Sequence, residues 1–296
     1  MKSSRLLSGI PLLLLVGFLA SACHSMRNDS ASHSGRVLAA DGLPVAYNLR
    51  GRGKTTLVFV HCWAGNRTFW RHQVEEFARD FQVLALDLPG HGQSRAPRES
   101  WSLQGLAQDL RTVIEQLKLR RVILIGHSMG GPVSLLAAER MPGRVLGVVG
   151  VDTLHNAEFV WPKSLGEQFG ARFEADYEGT MRGMVTSMFP TNADPAVVQF
   201  VLTNALAADR NATVALIRDF PNLDLKRAFT SAKVPIRCIN ALPMGNAGLP
   251  TTLEANRKYA DYDAVLMTGV GHYLQLERPS EFNQHLRKVL EKLSPP

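Results

Sequence analysis

The sequence of 296 residues contains only three cysteines, Cys23, Cys62 and Cys238. Three thiols cannot form the disulfide framework that holds small secreted domains together. Cys62 and Cys238 fall in or beside apolar stretches, so we predict two buried free thiols; a single bridge between them is the alternative in an oxidising compartment. A hydrophobic core must therefore hold the fold together, and 296 residues suffice for one large α/β domain.

The chain also lacks runs of like charge. Its formal net charge is +7, from 33 basic and 26 acidic residues, but the basic residues are scattered and are not interleaved with aromatic residues. This pattern excludes nucleic acid as an expected partner. A mild attraction to anionic membrane surfaces is compatible with the charge.

No apolar run is long enough for a typical membrane-spanning helix. The longest one, Ile10 to Ala20, follows Lys2 and Arg5 and precedes small residues. A spanning helix needs about 20 apolar residues, so a permanent transmembrane anchor is the weaker interpretation. Basic, apolar and small segments in this order predict an export signal over residues 1–22.

Residues 19–23 (LASAC) resemble a bacterial lipobox. The resemblance implies that Cys23 is lipidated and becomes the first residue of a membrane-anchored protein facing the periplasm. Residues 20–22 also fit ordinary signal cleavage, which gives a soluble periplasmic or secreted protein as the alternative. The polar residues 23–34 are predicted to form a flexible tether.

From residue 35 onward, apolar runs typical of strands alternate with amphipathic segments. Near-continuous β-branched runs such as 121–125 (RVILI) and 145–151 (VLGVVGV) predict a parallel sheet covered by helices on both faces, the α/β class. Residues 154–230 interrupt the alternation with helical segments rich in Phe and Met. We predict a helical cap there, inserted between core segments 35–153 and 231–296, because long structureless loops are rare in compact domains.

Residues 126–130 (GHSMG) match the pattern G-x-S-x-G. A predicted buried strand precedes them and a helix begins near Pro132, so Ser128 would lie on a sharp turn with its hydroxyl exposed. The helix directs its positive end at the same point. A glycine-rich nucleotide-binding turn is the alternative, but no spacing in the chain matches the dinucleotide or P-loop patterns. The motif predicts Ser128 as a nucleophile.

A serine nucleophile requires a base to take its proton, and His272 is the best-placed histidine. It follows the last predicted strand in residues 269–272 (GVGH). That loop lies at the carboxyl edge of the sheet, where Ser128 also emerges and where open α/β sheets build their sites. His285 falls in the closing helix, and His24 and His33 fall in the predicted tether.

Four segments, HCWAGNRTFW, DLPGHGQS, GHSMGG and GVGHY, resemble the α/β-hydrolase superfamily in their order along the chain. The resemblance covers nearly all of residues 35–293 and implies the α/β-hydrolase fold. It also implies an oxyanion hole formed by the backbone N–H groups of Trp63 and Met129. Cys62 departs from the glycine usual at its position and adds a side chain where the loop usually has none. Cys62 itself is a weaker candidate for the nucleophile.

The neighbouring polar residues are predicted to have structural roles. His61 and His127 would hold their loops by hydrogen bonds, and Asp87 and His91 would stabilise the turn after a strand.

The acid that orients His272 is the least evident member of the site. In many members of the family it follows the seventh strand, but residues 241–252 (ALPMGNAGLPTT) contain no Asp or Glu. Asp152 ends the sixth strand at the same sheet edge, and some members of the family carry their acid there. We therefore predict a Ser128–His272–Asp152 triad. The alternative is that Asp152 only caps the start of the helical insertion.

These residues predict hydrolysis of an ester or related acyl compound through an acyl-enzyme, with no metal or organic cofactor. Serine at the nucleophile position disfavours dehalogenase and epoxide hydrolase chemistry. Trp63, Phe189 and the cap methionines predict a mainly apolar pocket for a small molecule, although they would also serve simply to pack the cap. Acyl transfer to another acceptor and non-catalytic ligand binding on a hydrolase scaffold are the alternative functions.

Overall fold

The fold is built on one eight-stranded sheet. The computed structural model of the protein describes residues 32–242 and 250–293. The strands are β1 (His33–Leu38), β2 (Pro44–Arg50), β3 (Thr56–Val60), β4 (Gln82–Leu86), β5 (Val122–His127), β6 (Val145–Val151), β7 (Ile236–Leu242) and β8 (Tyr262–Thr268).

The strand order across the sheet is β1-β2-β4-β3-β5-β6-β7-β8. β2 pairs antiparallel with β1 and β4, and all other neighbours are parallel. The sheet is therefore mostly parallel, and the carboxyl ends of β3, β5, β6, β7 and β8 meet at one edge. Every residue of the central strands β3 and β5 is buried, which explains their continuous apolar sequences.

Helices cover both faces of the sheet. Their bounds are α1 (Arg71–Phe77), α2 (Leu103–Gln116), α3 (Gly130–Glu139), α8 (Leu225–Ala232), α9 (Leu253–Arg257), α10 (Leu274–Glu277) and α11 (Pro279–Leu293), and a 3-10 helix (Arg67–Trp70) precedes α1. Helices α2, α3 and α8 contribute to the hydrophobic cluster on one face, and α1 and α11 contribute to the cluster on the other.

Local sequence explains how the helices form. In α2 the side chain of Ser102 accepts a hydrogen bond from the Gly105 N–H and so caps the first turn. Leu106, Leu110 and Val113 then recur on one buried face, which packs towards the sheet. Helix α3 is buried along nearly its whole length, so its sequence shows no polar face.

Four further α-helices lie between β6 and α8: α4 (Lys163–Ala175), α5 (Tyr177–Ser187), α6 (Pro195–Leu206) and α7 (Arg210–Asp219). We call α4–α7 the cap. Buried side chains of α4, α5 and α6 share one hydrophobic cluster with residues of the core, including Cys62, Phe69 and Tyr273. The cap is therefore packed directly over the carboxyl edge of the sheet.

The predicted fold class is confirmed: an α/β-hydrolase fold with a mostly parallel sheet, helices on both faces and helices inserted after β6. Strand β1 begins at His33, so its first two residues lie in the segment predicted as a tether (23–34). This edge strand is largely exposed and is held in the sheet by its pairing with β2. The predicted signal peptide and Cys23 lie outside the described residues. Among the described helices, none combines the length and apolarity required to cross a membrane.

Candidate active site

Ser128 lies on the turn between β5 and α3, with a backbone φ of 51°. A non-glycine residue in this left-handed region carries strain of about 1 to 3 kcal/mol. The Ser128 N–H donates a 3.0 Å hydrogen bond to the Val151 carbonyl of β6, which ties the turn to the neighbouring strand. The sheet thus holds the serine in a conformation that it would not adopt freely.

Close backbone contacts explain the glycines around Ser128. A Cβ atom at position 126 would lie 2.1 Å from the Gly130 carbonyl oxygen. At position 130 it would lie 2.4 Å from the Val60 carbonyl oxygen at the end of β3. Both distances are far below van der Waals contact, so only glycine fits at either position.

Asp152 and His272 are joined by a hydrogen bond. The Nδ1 atom of His272 lies 2.6 Å from Oδ2 of Asp152. The other carboxylate oxygen of Asp152 accepts the Ala241 N–H of β7 at 2.9 Å. The aspartate is 3% exposed and the histidine 7% exposed, so water does not compete for the contact. Because a carboxylate oxygen accepts hydrogen bonds, this contact orients the ring with an Nδ1–H towards the aspartate, and Nε2 is the ring nitrogen that does not contact Asp152.

The backbone of Asp152 also has a positive φ, of 43°. Its N–H donates to the Ile239 carbonyl of β7 at 3.0 Å, which holds the residue at the end of β6. This location agrees with the sequence-based placement of Asp152 at the carboxyl edge.

The loop that carries His272 is held from three sides. The His272 N–H donates to the Met188 carbonyl at 2.9 Å, and its own carbonyl lies 2.8 Å from Nε2 of His127. The Glu277 carboxylate accepts the N–H groups of Gly271 and Tyr273, and burial raises the pKa of Glu277. The cap, the serine turn and α10 together fix the position of the imidazole.

His127, directly before Ser128, connects the serine turn to the histidine loop. Gln275 Nε2 lies 3.2 Å from its Nδ1, so that nitrogen accepts and Nε2 carries the proton that the His272 carbonyl accepts. Burial holds the pKa of His127 well below its usual range, which keeps the ring neutral. This agrees with the structural role predicted for it.

Ser128 and His272 line one small cavity, which we call the active-site cavity. Its volume is about 30 Å³. The other lining residues come from the loop after β3, from α5 and α6, and from the histidine loop: Cys62, Trp63, Ala64, Met181, Met184, Val185, Met188, Ala205 and Tyr273. The cavity is therefore bounded by both the core and the cap.

Trp63 and Met129, predicted to supply oxyanion donors, lie in the expected loops. Trp63 lines the active-site cavity, and Met129 stands at the start of α3, where the helix dipole is positive. The loop after β3 turns sharply, with φ of 54° at Ala64 and a 3.1 Å hydrogen bond from the Gly65 N–H to the Cys62 carbonyl. The Trp63 indole N–H donates to the Thr213 carbonyl of the cap, which anchors the side chain.

Cys62 is buried in the turn that follows β3. Its thiol packs against Gly65, where a Cβ atom would lie 2.7 Å from the sulfur. Burial raises the pKa of the Cys62 thiol to about 12, so the thiolate needed for nucleophilic attack is scarce at neutral pH. Cys62 and Cys238 are both free and buried.

His61, Asp87 and His91 have contacts of a structural kind. His61 accepts the Leu88 N–H on Nε2 at 2.9 Å, which links the loops after β3 and β4. Asp87 is buried and pairs with Arg67, while its carboxylate also accepts the N–H groups of Arg67 and Gln93. Burial lowers the pKa of His61 to about 4 and that of His91 to about 3.

The sequence did not reveal a cluster of three polar residues close to Asp152. His155 and Asn240 are buried and form a cluster with the half-buried Thr251, in which Asn240 Nδ2 lies 3.1 Å from His155 Nδ1 and 2.9 Å from Thr251 Oγ1. The only sequence signal was a histidine three residues after the candidate acid. In residues 32–242 and 250–293, no cluster of three or more His, Cys, Asp or Glu side chains is arranged to hold a metal ion.

A strained serine between a buried strand and a helix, with a histidine–aspartate pair at the same sheet edge, is the arrangement of α/β hydrolases. The family model for the alpha/beta hydrolase fold matches residues 55–196. This match covers just under half of the chain, and the chain has the α/β-hydrolase fold.

Individual relatives are similar over most of the chain. The AB hydrolase superfamily protein YisY of Bacillus subtilis is 26% identical over 244 residues, covering 79% of this chain and 90% of the relative. A thermophilic esterase from Thermogutta terrifontis superposes with a TM-score of 0.76 at 21% identity, covering 88% of this chain and 99% of the esterase. An esterase from Exiguobacterium antarcticum gives a TM-score of 0.79 at 19% identity, covering 88% of this chain and 100% of that esterase. At these identities, the two solved structures establish similarity of fold.

Proposed function

We propose that the protein hydrolyses carboxylic esters of small molecules through an acyl-enzyme on Ser128. The observation that carries the proposal is the 2.6 Å contact between His272 and Asp152 in a site where His272 and Ser128 line the same cavity. The esterases among its structural relatives are compatible with this chemistry.

In the first half-reaction, Ser128 Oγ attacks the acyl carbon while Nε2 of His272 takes the hydroxyl proton. Asp152 holds the Nδ1 proton and stabilises the imidazolium that forms. The ester C–O bond then breaks, and the alcohol leaves with the proton returned by His272. The acyl group remains on Ser128.

In the second half-reaction, His272 takes a proton from water, and the resulting hydroxide attacks the acyl-enzyme. The carboxylic acid is released and the proton returns to Ser128 Oγ. In both halves the negative charge on the carbonyl oxygen would be stabilised by the N–H groups of Trp63 and Met129, each worth about 3 to 4 kcal/mol in such sites. These steps use no metal or organic cofactor.

The proposal is tested with the full chain by labelling with a fluorophosphonate probe and by hydrolysis of p-nitrophenyl acetate. Wild-type protein should be labelled and active, and Ser128→Ala should lose both properties. Ser164→Ala, at an exposed position of the cap, is the matched control and should retain both. No labelling of either protein would favour a non-catalytic ligand-binding protein, and equal labelling of both would place the reactive nucleophile at a residue other than Ser128.

Transfer of the acyl group to another acceptor uses the same first half-reaction. Product analysis with a competing alcohol or peroxide separates the two outcomes. Formation mainly of the carboxylic acid supports hydrolysis, and formation mainly of a new ester or peracid supports transfer.

We also propose that the protein is exported and anchored to a bacterial membrane through lipid on Cys23. The support comes from the sequence alone, since residues 1–31 lie outside the described part of the chain. Metabolic labelling with a radioactive fatty acid in a bacterial host should label the wild-type protein in the membrane fraction. Cys23→Ala should abolish the label, and labelling that persists in this variant would contradict the proposal.

A further inference from the structure

The size of the active-site cavity limits the acyl group. A single water molecule needs about 10 to 15 Å³ of such space. The cavity of about 30 Å³ beside Ser128 and His272 therefore accommodates two or three atoms. Pockets for larger organic ligands measure about 300 to 1,000 Å³.

The residues that line the active-site cavity limit the chemical nature of the acyl group as well. None of the residues that line the cavity is an Asp, Glu, Lys or Arg, and most are apolar. The hydroxyl of Tyr273 is directed to the sulfur of Met188 at 3.6 Å. An acyl chain with a charged end would be desolvated here without a partner, which is costly.

Larger spaces lie away from the reacting groups. One groove of about 770 Å³ runs beside Trp101 and Tyr177, and another of about 550 Å³ lies beside Phe159 and Tyr259. Neither is lined by Ser128 or His272. Among the described residues, neither of these two grooves is therefore open to a long acyl chain attached to Ser128.

We propose that the enzyme is selective for esters whose acyl group is uncharged and of acetyl size. This inference rests on the proposed function, because it concerns the acyl group carried by Ser128. The walls that set the limit are Met184, Val185 and Met188 of the cap and Cys62 of the core.

The test compares kcat/KM for p-nitrophenyl acetate, butyrate and octanoate. One surplus methylene group in a fitted pocket changes specificity by about 10-fold or more, so butyrate should react at least ~10-fold less efficiently than acetate. Octanoate should react slower still. Octanoate cleaved as efficiently as acetate, in a Ser128-dependent reaction, would overturn the acyl-size inference and leave the proposed function intact. Absence of Ser128-dependent cleavage of all three esters would overturn both.

Variants of Met184 test whether the cap wall sets the limit. Met184 is half-buried, so Met184→Ala should fold and enlarge the cavity. We expect the butyrate-to-acetate ratio of kcat/KM to rise at least ~10-fold in Met184→Ala. Met184→Leu keeps the volume and should keep the wild-type ratio. An unchanged ratio in Met184→Ala would contradict the role of this wall.

A separate observation concerns His155, whose ring faces the acid of the site. The Thr153 N–H donates to Asn240 Oδ1 at 3.1 Å, which orients the amide so that its NH₂ group faces His155. The Nδ1 atom of His155 is therefore an acceptor, and the proton of the neutral ring sits on Nε2. Burial lowers the pKa of His155, which favours this neutral form.

The Nε2 atom of His155 lies 3.8 Å from Oδ1 of Asp152, whereas His272 contacts the other carboxylate oxygen, Oδ2. This distance is too long for a hydrogen bond, but the N–H dipole still stabilises the buried negative charge. The geometry points to His155 as a positioning residue, which acts on His272 through Asp152.

A double-mutant cycle tests this role. His155→Phe keeps a ring but removes both nitrogens, and it should lower kcat ~10-fold with little change in KM. In the Asp152→Asn background the same change should cost nothing further, because the carboxylate charge through which His155 acts is gone. An equal loss in both backgrounds, or a loss confined to thermal stability, would show that His155 only packs the loop.

Discussion

The imidazole of His272 and the carboxylate of Asp152 lie 2.6 Å apart although 120 positions separate the two residues in the sequence. The contact joins the loop after β8 to the end of β6, across the end of the strand between them. Ala241, at the end of that middle strand, supplies a backbone N–H to the same carboxylate. The strand after which the family resemblance implied the acid thus contributes a hydrogen-bond donor instead.

Replacement of Asp152 by Asn should lower kcat by about 10⁴ with little loss of folding stability. Asparagine tolerates the positive φ of this position, so the backbone should be preserved while the charge is lost. The measurement is steady-state hydrolysis of p-nitrophenyl acetate together with a thermal melt.

The control for this prediction is Asp176→Asn. Asp176 is exposed and caps α5, a role that Asn performs equally well. Near-normal turnover in Asp152→Asn would remove Asp152 from the triad and favour its alternative role as a cap of the inserted segment.

Gly130→Ala should destabilise the protein by about 1 to 3 kcal/mol or more, because the added methyl group would strike the carbonyl oxygen of Val60. Urea unfolding measures the loss. Gly183→Ala is the matched control, since no atom lies within 4 Å of the added Cβ in this helix. Alanine there should leave the protein unchanged or more stable by up to about 1 kcal/mol. Equal stability of Gly130→Ala and the wild-type protein would contradict the close contact.

Acid should destabilise the protein through its buried histidines. Burial lowers the pKa of His91 from 6.5 to about 3, so at pH 5 the ring is neutral when folded and protonated when unfolded. The unfolded chain binds the extra proton, and the free energy of unfolding falls as the pH decreases from 6.5 towards 3. His91 contributes a slope of about 1.4 kcal/mol per pH unit within that window.

The variant that isolates this contribution is His91→Leu. Its free energy of unfolding should depend less steeply on pH between about 4 and 6, by about 1.4 kcal/mol per unit. Urea titrations at several pH values provide the slope. A slope identical to that of the wild-type protein would show that His91 is not held neutral by the fold.

Iodoacetamide should not alkylate Cys62 in the native protein at pH 8. With a thiol pKa of about 12, only about one molecule in 10⁴ carries the reactive thiolate at this pH. Peptide mass spectrometry should find the residue unmodified under native conditions and fully modified in denaturant. Stoichiometric native alkylation would restore Cys62 as a candidate nucleophile.

Much of the core could be predicted because its signals are local. The continuous apolar run that forms β5 leads directly into the glycines around Ser128, and both features follow from close packing against neighbouring backbone. The positions of Asp152 and His272 followed from strand ends alone, since the carboxyl ends of parallel strands meet at one edge. Strand β1 was missed because its residues are mostly exposed and carry little apolar periodicity.

The size of the active-site cavity and the role of His155 could not be predicted in the same way. The cavity depends on how methionine side chains of α5 pack against the loop after β3. The contacts of His155 depend on Asn240 and Thr251, which are distant in sequence. Both features arise from packing between separate segments, and periodicity carries no information about such contacts.

The cap is connected to both Asp152 and His272, the two residues of the 2.6 Å contact. The chain leaves the sheet for the insertion immediately after Asp152, and the carbonyl of Met188, at the end of α5, holds the backbone of His272. Grafting a foreign insertion onto this scaffold to obtain a new selectivity would therefore disturb the reactive groups as well. Engineered chimeras should retain the junction around residues 152–156 and the carbonyl contact at position 188 if turnover is to survive.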